Sequence, residues 1–383
     1  MAVSIEGATE RNRQWAATME GFIADDVVRA HANSVAAIDI ESRPDLPRPP
    51  REIHEDIENA ALCGGATPSI GAGNRERAEE PDPFRTCFER DRDRILHSAS
   101  FRRLSGKTQV FVFPEDHMRT RLTHALEVAQ VAVSVARAVG LNVALTDAIA
   151  LGHDCGHGPG GHASEEALDP FVEGGFDHAT WGANVSLQHL NLCVETLDGI
   201  RNHSWSRPAP MTPEGEVVSW ADRIAYVCHD FEDAVSAGIV TPDDLPALVR
   251  DRCGTTRGQQ LGTFIRAMIA TIQETGIIGM DPRTAEALSA FRAFNYAAIY
   301  MRKPSQVQAQ RVVGMLRGLV EFYAASPALI PGDGDFRHDV ANSQSSLTAA
   351  VAYVAGMTDR YACRSAVSQL AWPIDQLPSG IDR

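Results

Sequence analysis

Apolar positions recur at intervals of three and four along most of this chain, the spacing that places them on one face of a helix. The pattern is regular from about Phe84 and predicts helices at 95–104 (ILHSASFRRL), 123–139 (THALEVAQVAVSVARAV) and 143–153 (VALTDAIALGH). Further helices are predicted at 162–171, 180–190 and 216–235, then at 262–275, 282–300, 306–325 and near 341–371. Two-residue alternation, the strand signal, is scarce, and its main occurrence is KTQVFVF at 107–113. The fold class expected is all-α, with no internal repeat.

Residues 1–80 read differently. Pro44, Pro47, Pro49 and Pro50 interrupt one segment, and GGATPSIGAGN at 64–74 is flexible in composition. Apolar spacing predicts a helix near Arg13–Ala32 with no chemistry attached. The organisation expected is an N-terminal extension over 1–84, partly flexible, a helical core over 85–240 and a C-terminal helical region over 241–383.

Composition narrows the classes. The 383 residues are 44% hydrophobic and 22% charged, ordinary globular values that allow a large core and exclude wholesale disorder. No run of about 18 uncharged apolar residues occurs, so no membrane span is expected. The opening MAVSIEGATERNRQ is unlike a secretory signal, and the location expected is the cytoplasm. Seven scattered cysteines without a C-x-x-C pair argue against a disulfide framework or a thiolate zinc site. The 35 basic and 50 acidic side chains give a net charge of −15, which disfavours a non-specific grip on nucleic acid, so no such partner is expected.

Chemistry gathers in the middle of the chain. His124 lies early in one predicted helix, His153 and Asp154 close the next at a glycine-rich turn (CGHGPGGH), and Asp222 sits in a third. Consecutive helical side chains diverge by about 100°, so His153 and Asp154 can face one ion only where the helix end relaxes. Two imidazoles and two carboxylates suit Mn²⁺, Fe²⁺, Co²⁺, Ni²⁺ or Mg²⁺ better than a thiolate zinc site would. An isolated H-D dipeptide would carry little weight; its surroundings carry more.

The order His124, HDCGH, Asp222 resembles the HD-domain superfamily of metal-dependent phosphohydrolases. More narrowly, the chain resembles the deoxyguanosinetriphosphate triphosphohydrolase-like family. The matching stretches are DRDRILHSASFRRLSGKTQVF (91–111), RTRLTHALEVAQ (119–130), AIALGHDCGHGPGGHASEEAL (148–168), GGFDHATWGANV (174–185), ADRIAYVCHDFEDAVSAGIV (221–240) and GMTDRYA (356–362). The resemblance implies an HD helical core completed by C-terminal helices. It assigns one divalent ion to His124, His153, Asp154 and Asp222, and a catalytic pair beside the α-phosphate to His162 and Glu165. The plain alternative for that pair is first-turn capping of a helix.

The same resemblance implies that His157, His178 and Arg121 meet substrate phosphates, that Tyr226 stacks near the sugar and that Asp230 meets its 3′-hydroxyl. It brings Lys107, Gln109 and, from the C-terminal part, Arg360 towards the nucleotide. The implied reaction converts a deoxynucleoside triphosphate, dGTP as the first choice, to deoxynucleoside and inorganic triphosphate. Homo-oligomers and an activating nucleotide are implied by the same likeness. The alternatives are a phosphohydrolase for another nucleotide, either a nucleoside monophosphate or a guanosine polyphosphate, and a non-catalytic nucleotide sensor. One departure stands out: Gly160 occupies the position of the family's Phe, which predicts a missing aromatic wall and a looser loop before His162.

Overall fold

The computed structural model describes residues 9–18, 21–24, 26–39, 41–42, 50–331 and 346–380. Contacts divide the chain into two units, residues 1–48 and 49–383. The first contains α1 (Glu10–Thr18) and an antiparallel hairpin of β1 (Phe22–Ala24) and β2 (Val27–Arg29), with Phe22 opposite Arg29 and Ala24 opposite Val27. The helix expected at 13–32 is therefore a short helix followed by a hairpin. Asp26, with a left-handed φ of 62°, turns the chain between the strands.

The second unit is helical, as the hydrophobic spacing predicts. In chain order it runs α2 (Pro50–Ala61), α3 (Cys87–Leu96), α4 (Ala99–Arg103), α5 (Arg121–Val139), α6 (Val143–Gly152), α7 (His162–Leu168) and α8 (His178–Trp181). It continues through α9 (Val194–Asn202), α10 (Pro213–Ser236), α11 (Ala247–Cys253), α12 (Arg257–Thr275), α13 (Pro282–Asn295), α14 (Lys303–Ala325), α15 (Ser346–Ala355) and α16 (Asp359–Leu370). The helix expected near 341–371 is thus two helices; residues 341–345 lie outside the described residues.

Helix α6 is the axis. It is apolar nearly all round and buried along its length, the pattern of a core helix rather than a surface one. Helices α3, α5, α9 and α10 pack around it. Its start is fixed by Asn142, whose Oδ1 accepts from the Leu145 amide at 3.0 Å. The preceding α5 stops at Gly140, whose φ of 75° forms the left-handed cap. A second apolar core joins α7 to α14, α15 and α16 through Leu168, Val312, Leu316, Val320 and Tyr353.

Two local readings differ from the structure. KTQVFVF forms no strand: Thr108 makes one isolated bridge to Thr120, and the segment otherwise bends among helices that offer no edge to pair with. The 64–74 stretch, flexible in composition, is pinned. The Thr67 amide and hydroxyl donate to buried Glu214 at 3.1 and 2.8 Å, and just beyond, Arg75 donates to Asp91 and to the Asn191 carbonyl, both at 2.6 Å. From Pro50 onward the chain packs as part of the helical unit.

Candidate metal and catalytic site

The end of α6 is where the chemistry converges. His153 caps the helix, and its Nδ1 donates back to the Ala150 carbonyl at 2.6 Å. That bond fixes the tautomer, leaving the Nε2 lone pair pointing away from the helix. His153 Nε2 is buried and has no hydrogen-bond partner. The following turn brings Asp154 Oδ1 to 3.6 Å from it. From α10, Asp222 Oδ1 lies 3.7 Å from His153 Nε2 and 3.0 Å from His124 Nε2 of α5. The helix end relaxes as the H-D pair requires, and the four predicted ligands meet.

Such a turn demands a glycine. A Cβ on Gly156 would lie 1.9 Å from the His178 carbonyl oxygen and 2.3 Å from the Gly182 nitrogen, so the turn can pass α8 only without a side chain.

Charge in this cluster is arranged for a cation. Burial pushes the Asp154 carboxyl up, but Arg121, 2.6 Å away, and the imidazoles of His153 and His157 hold it well below the usual carboxylate range. Asp222 is likewise pushed up by burial and pulled below its usual value by the His124 hydrogen bond. Two ionised carboxylates beside a buried, unpartnered imidazole nitrogen fit a divalent ion.

A second group adjoins the first. His157 and His178 stack with ring centroids 3.7 Å apart, and His157 Nε2 lies 3.2 Å from Asp154 Oδ1. Glu165 of α7 accepts from His178 Nδ1 at 2.6 Å and lies 3.2 Å from His162 Nδ1. Burial raises the Glu165 carboxyl, yet the hydrogen bonds from His162 and His178 outweigh it and keep the group ionised far into acid. His162 itself is 73% exposed and faces open space, with Glu165 behind it.

That space is a cavity of about 610 Å³. Of the predicted substrate contacts, Arg121, Gln109, His157, His178, Tyr226 and Asp230 line it. Tyr226 accepts from Arg292 Nε at 2.7 Å, and Tyr300 donates to Asp230 Oδ2 at 2.5 Å, leaving Asp230 Oδ1 and Gln109 Oε1 buried without partners. Burial pushes the Asp230 carboxyl up to about 7. Two predicted contacts lie elsewhere. Lys107 is buried and donates to the carbonyls of His157 and Ala355 (3.0 Å), and Arg360 is an exposed residue of α16 outside the cavity lining.

Sequence reasoning missed several lining groups. His203, at the cap of α9, places Nε2 3.2 Å from His178 Nε2. Arg223, next to Asp222, stacks on Trp205 with its guanidinium carbon 3.7 Å from the ring centroid. His203 closes α9 as His153 closes α6, each at the C-cap of its helix. Gly160 also differs from expectation. Its amide donates to Asp359 Oδ1 at 2.8 Å, its φ is 76°, and a Cβ there would meet Val312 at 2.5 Å. The loop before His162 is therefore held tightly, and α14 occupies the space an aromatic ring would need.

Comparison with known proteins agrees with this geometry. Residues 121–227 match the HD domain, and residues 278–367 match the phosphohydrolase-associated domain. The HD-domain match, together with His/Asp clusters that could hold a metal ion, marks an HD-type phosphohydrolase. A deoxyguanosinetriphosphate triphosphohydrolase-like protein of Caldanaerobacter subterraneus subsp. tengcongensis is 42% identical over 322 residues, covering 82% of this chain and 93% of that protein. Proteins of the same description from Clostridium perfringens and Geobacter sulfurreducens are 39% and 34% identical, each matched over 94% of its length and over 81% and 80% of this chain. The chain belongs to the deoxyguanosinetriphosphate triphosphohydrolase-like family. Among solved structures, a hypothetical protein from Aquifex aeolicus aligns at 20% identity over 60% of this chain and 61% of its own, with a TM-score of 0.42. No helix among the described residues is long and apolar enough to cross a membrane.

Proposed function

We propose that this chain is a metal-dependent deoxynucleoside triphosphate triphosphohydrolase, releasing deoxynucleoside and inorganic triphosphate, with dGTP the first substrate to try. One observation carries the reading. In a chain of net charge −15, arginines from three helices, Arg121, Arg223 and Arg292, line the same cavity as the His/Asp cluster. A polyanion bound beside a cation site accounts for those converging arginines, since guanidinium forks match phosphate oxygens. The names of the relatives point to the same substrate class.

His124, His153, Asp154 and Asp222 would hold the divalent ion, which when bound supplies positive charge at the α-phosphate and lowers the pKa of bound water. Arg121 adds its guanidinium to the same phosphate. Its NH2 and Nε atoms are buried and unpartnered, so they are free to donate. His162, with Nδ1 held by Glu165, presents Nε2 for proton exchange with the attacking water or the leaving 5′-oxygen. Asp230 Oδ1, an unpartnered acceptor, would take the 3′-hydroxyl, and Tyr226 would pack against a sugar that lacks a 2′-hydroxyl. Assembly into homo-oligomers and a nucleotide activator belong to the same proposal.

The test is a chromatographic product assay with Mn²⁺-loaded protein, each dNTP singly, all four mixed, and GTP as the ribose control. Deoxynucleoside with intact triphosphate, lost in His162→Ala, supports the reading. Activity only in the mixture identifies nucleotide activation. Monophosphate or pyrophosphate release refutes departure of the 5′-oxygen from the α-phosphorus and favours another nucleotide substrate.

A further inference from the structure

One wall of the cavity takes no part in the chemistry above. Pro304, Ser305, Gln308 and Ala309 of α14 line it, at a spacing that puts them on one helix face, and none carries a charge. That uncharged face contrasts with the imidazoles, carboxylates and arginines that line the cavity from α5, α7 and α10.

The wall is completed from far along the chain. Gly380 also lines the cavity. A Cβ there would meet the Phe113 and Val112 carbonyl oxygens at 3.4 and 3.5 Å, so the backbone itself lies against that loop. Three bonds tie segment 377–380 to α14. Arg311 donates to the Leu377 carbonyl at 3.1 Å, the Ser379 amide donates to Gln308 Oε1 at 2.9 Å, and Gln308 Nε2 donates to Ser379 Oγ at 3.1 Å. Gln308 thus grips one residue with both ends of its amide. Phe113, where the segment crosses, has a φ of 50°, a left-handed conformation that a bulky residue keeps only when its surroundings hold it there. Phe113 and Leu377 pack on the same apolar core. The segment lies outside both matched domains, 121–227 and 278–367.

We propose that segment 377–380, latched by Gln308, is the wall against which the nucleotide base is seated, and that it sets the preference for purine over pyrimidine. This rests on the nucleotide reading given above. There the divalent ion and the arginines take the phosphates and Asp230 takes the 3′-hydroxyl. The base is the one flat, uncharged part of the substrate left to place, and an uncharged face suits it. Gly380 and Ala309, with at most a methyl group, leave the rings their space. Apolar burial is worth more as the covered area grows, so a closed wall favours a two-ring base over a one-ring base. A wall that swings away loses more contact with the larger base.

The test is a competition assay on the full chain loaded with Mn²⁺. All four dNTPs are supplied at equal concentration and the released deoxynucleosides are separated by chromatography. Initial rates then give the ratio of purine to pyrimidine kcat/KM in one tube, with any nucleotide activation acting on both alike. Gln308→Leu keeps the side-chain volume and removes both bonds to Ser379. The ratio is expected to fall about tenfold, the scale on which hydrophobic pockets discriminate. Gln308→Glu, whose two oxygens still accept from the Ser379 amide and hydroxyl, should keep the wild-type ratio. A partly unfolded variant lowers both rates together and leaves the ratio alone. A ratio in Gln308→Leu equal to or above that of the wild type, or a fall matched in Gln308→Glu, overturns the proposal and leaves the functional reading standing. No deoxynucleoside from any dNTP in the wild type refutes both.

Discussion

Replacing Glu165 by glutamine removes one negative charge from the site and leaves its shape unchanged. The carboxylate accepts three hydrogen bonds: the His178 amide at 3.1 Å and His178 Nδ1 at 2.6 Å on one oxygen, and His162 Nδ1 at 3.2 Å on the other. A glutamine can keep its oxygen on the two His178 donors. Its amide nitrogen then faces His162 and can only donate, so His162 must accept at Nδ1 and carry its proton on Nε2. The imidazole that should take a proton at Nε2 begins with one already there. One charge-assisted hydrogen bond, about 1.5–3 kcal/mol, is lost, and acid–base assistance of about 10²–10⁴-fold goes with it. We expect kcat for dGTP hydrolysis to fall about 10²–10³-fold, or about 2.7–4 kcal/mol, with KM nearly unchanged. Melting temperature should fall only slightly, since two of the three bonds survive. Steady-state kinetics with product chromatography provide the measurement. A Glu165→Gln enzyme within threefold of wild-type kcat, or one whose loss lies wholly in KM, would refute the argument.

Other substitutions probe separate parts of the site. Asp154→Ala should lose both bound Mn²⁺ and turnover, and should melt several degrees lower because it strands the buried Arg121 guanidinium; full metal content in this variant would refute the ligand assignment. Asp230 has a folded pKa of about 7 against about 3.9 unfolded, so the folded state takes up the proton first and wild-type stability rises as pH falls from about 8 to 5. Asp230→Asn should remove that gain, and equal melting-temperature slopes in the two proteins would disprove it. Gly160→Phe should destabilise by about 2–5 kcal/mol, combining a left-handed φ with overpacking against Val312; denaturant unfolding at wild-type stability would contradict the geometry.

How far this was legible from sequence follows from what each residue depends on. Helices α5, α6 and α10 were readable because their burial is written in three- and four-residue spacing, and the four predicted ligands come together because they sit on those helices. The π-helical turns at Gly182–Ser186 and Tyr296–Tyr300 carry no such periodicity and read as ordinary helix. Lys107 was expected near the nucleotide because its KTQVF stretch resembles the family's. Its actual partners are two main-chain carbonyls, a choice set by tertiary packing that no local pattern encodes. His203 was passed over because its partners, Ile200 within its own helix turn and His178 across the fold, become visible only once α8 and α9 are placed.

Asp359, at the start of α16, accepts from Gly160 across 199 residues of chain, and its other oxygen accepts from Thr108 at 2.6 Å. The turn that presents His162 is therefore completed by a residue the ribosome adds long after it. At about 5–20 residues per second, the interval is roughly 10–40 s. A nascent chain emerging with its His/Asp cluster already folded would still lack the bracket that shapes the loop carrying His162. A chain cut before α16 would lack both Asp359 bonds, to Gly160 and to Thr108, that hold this turn.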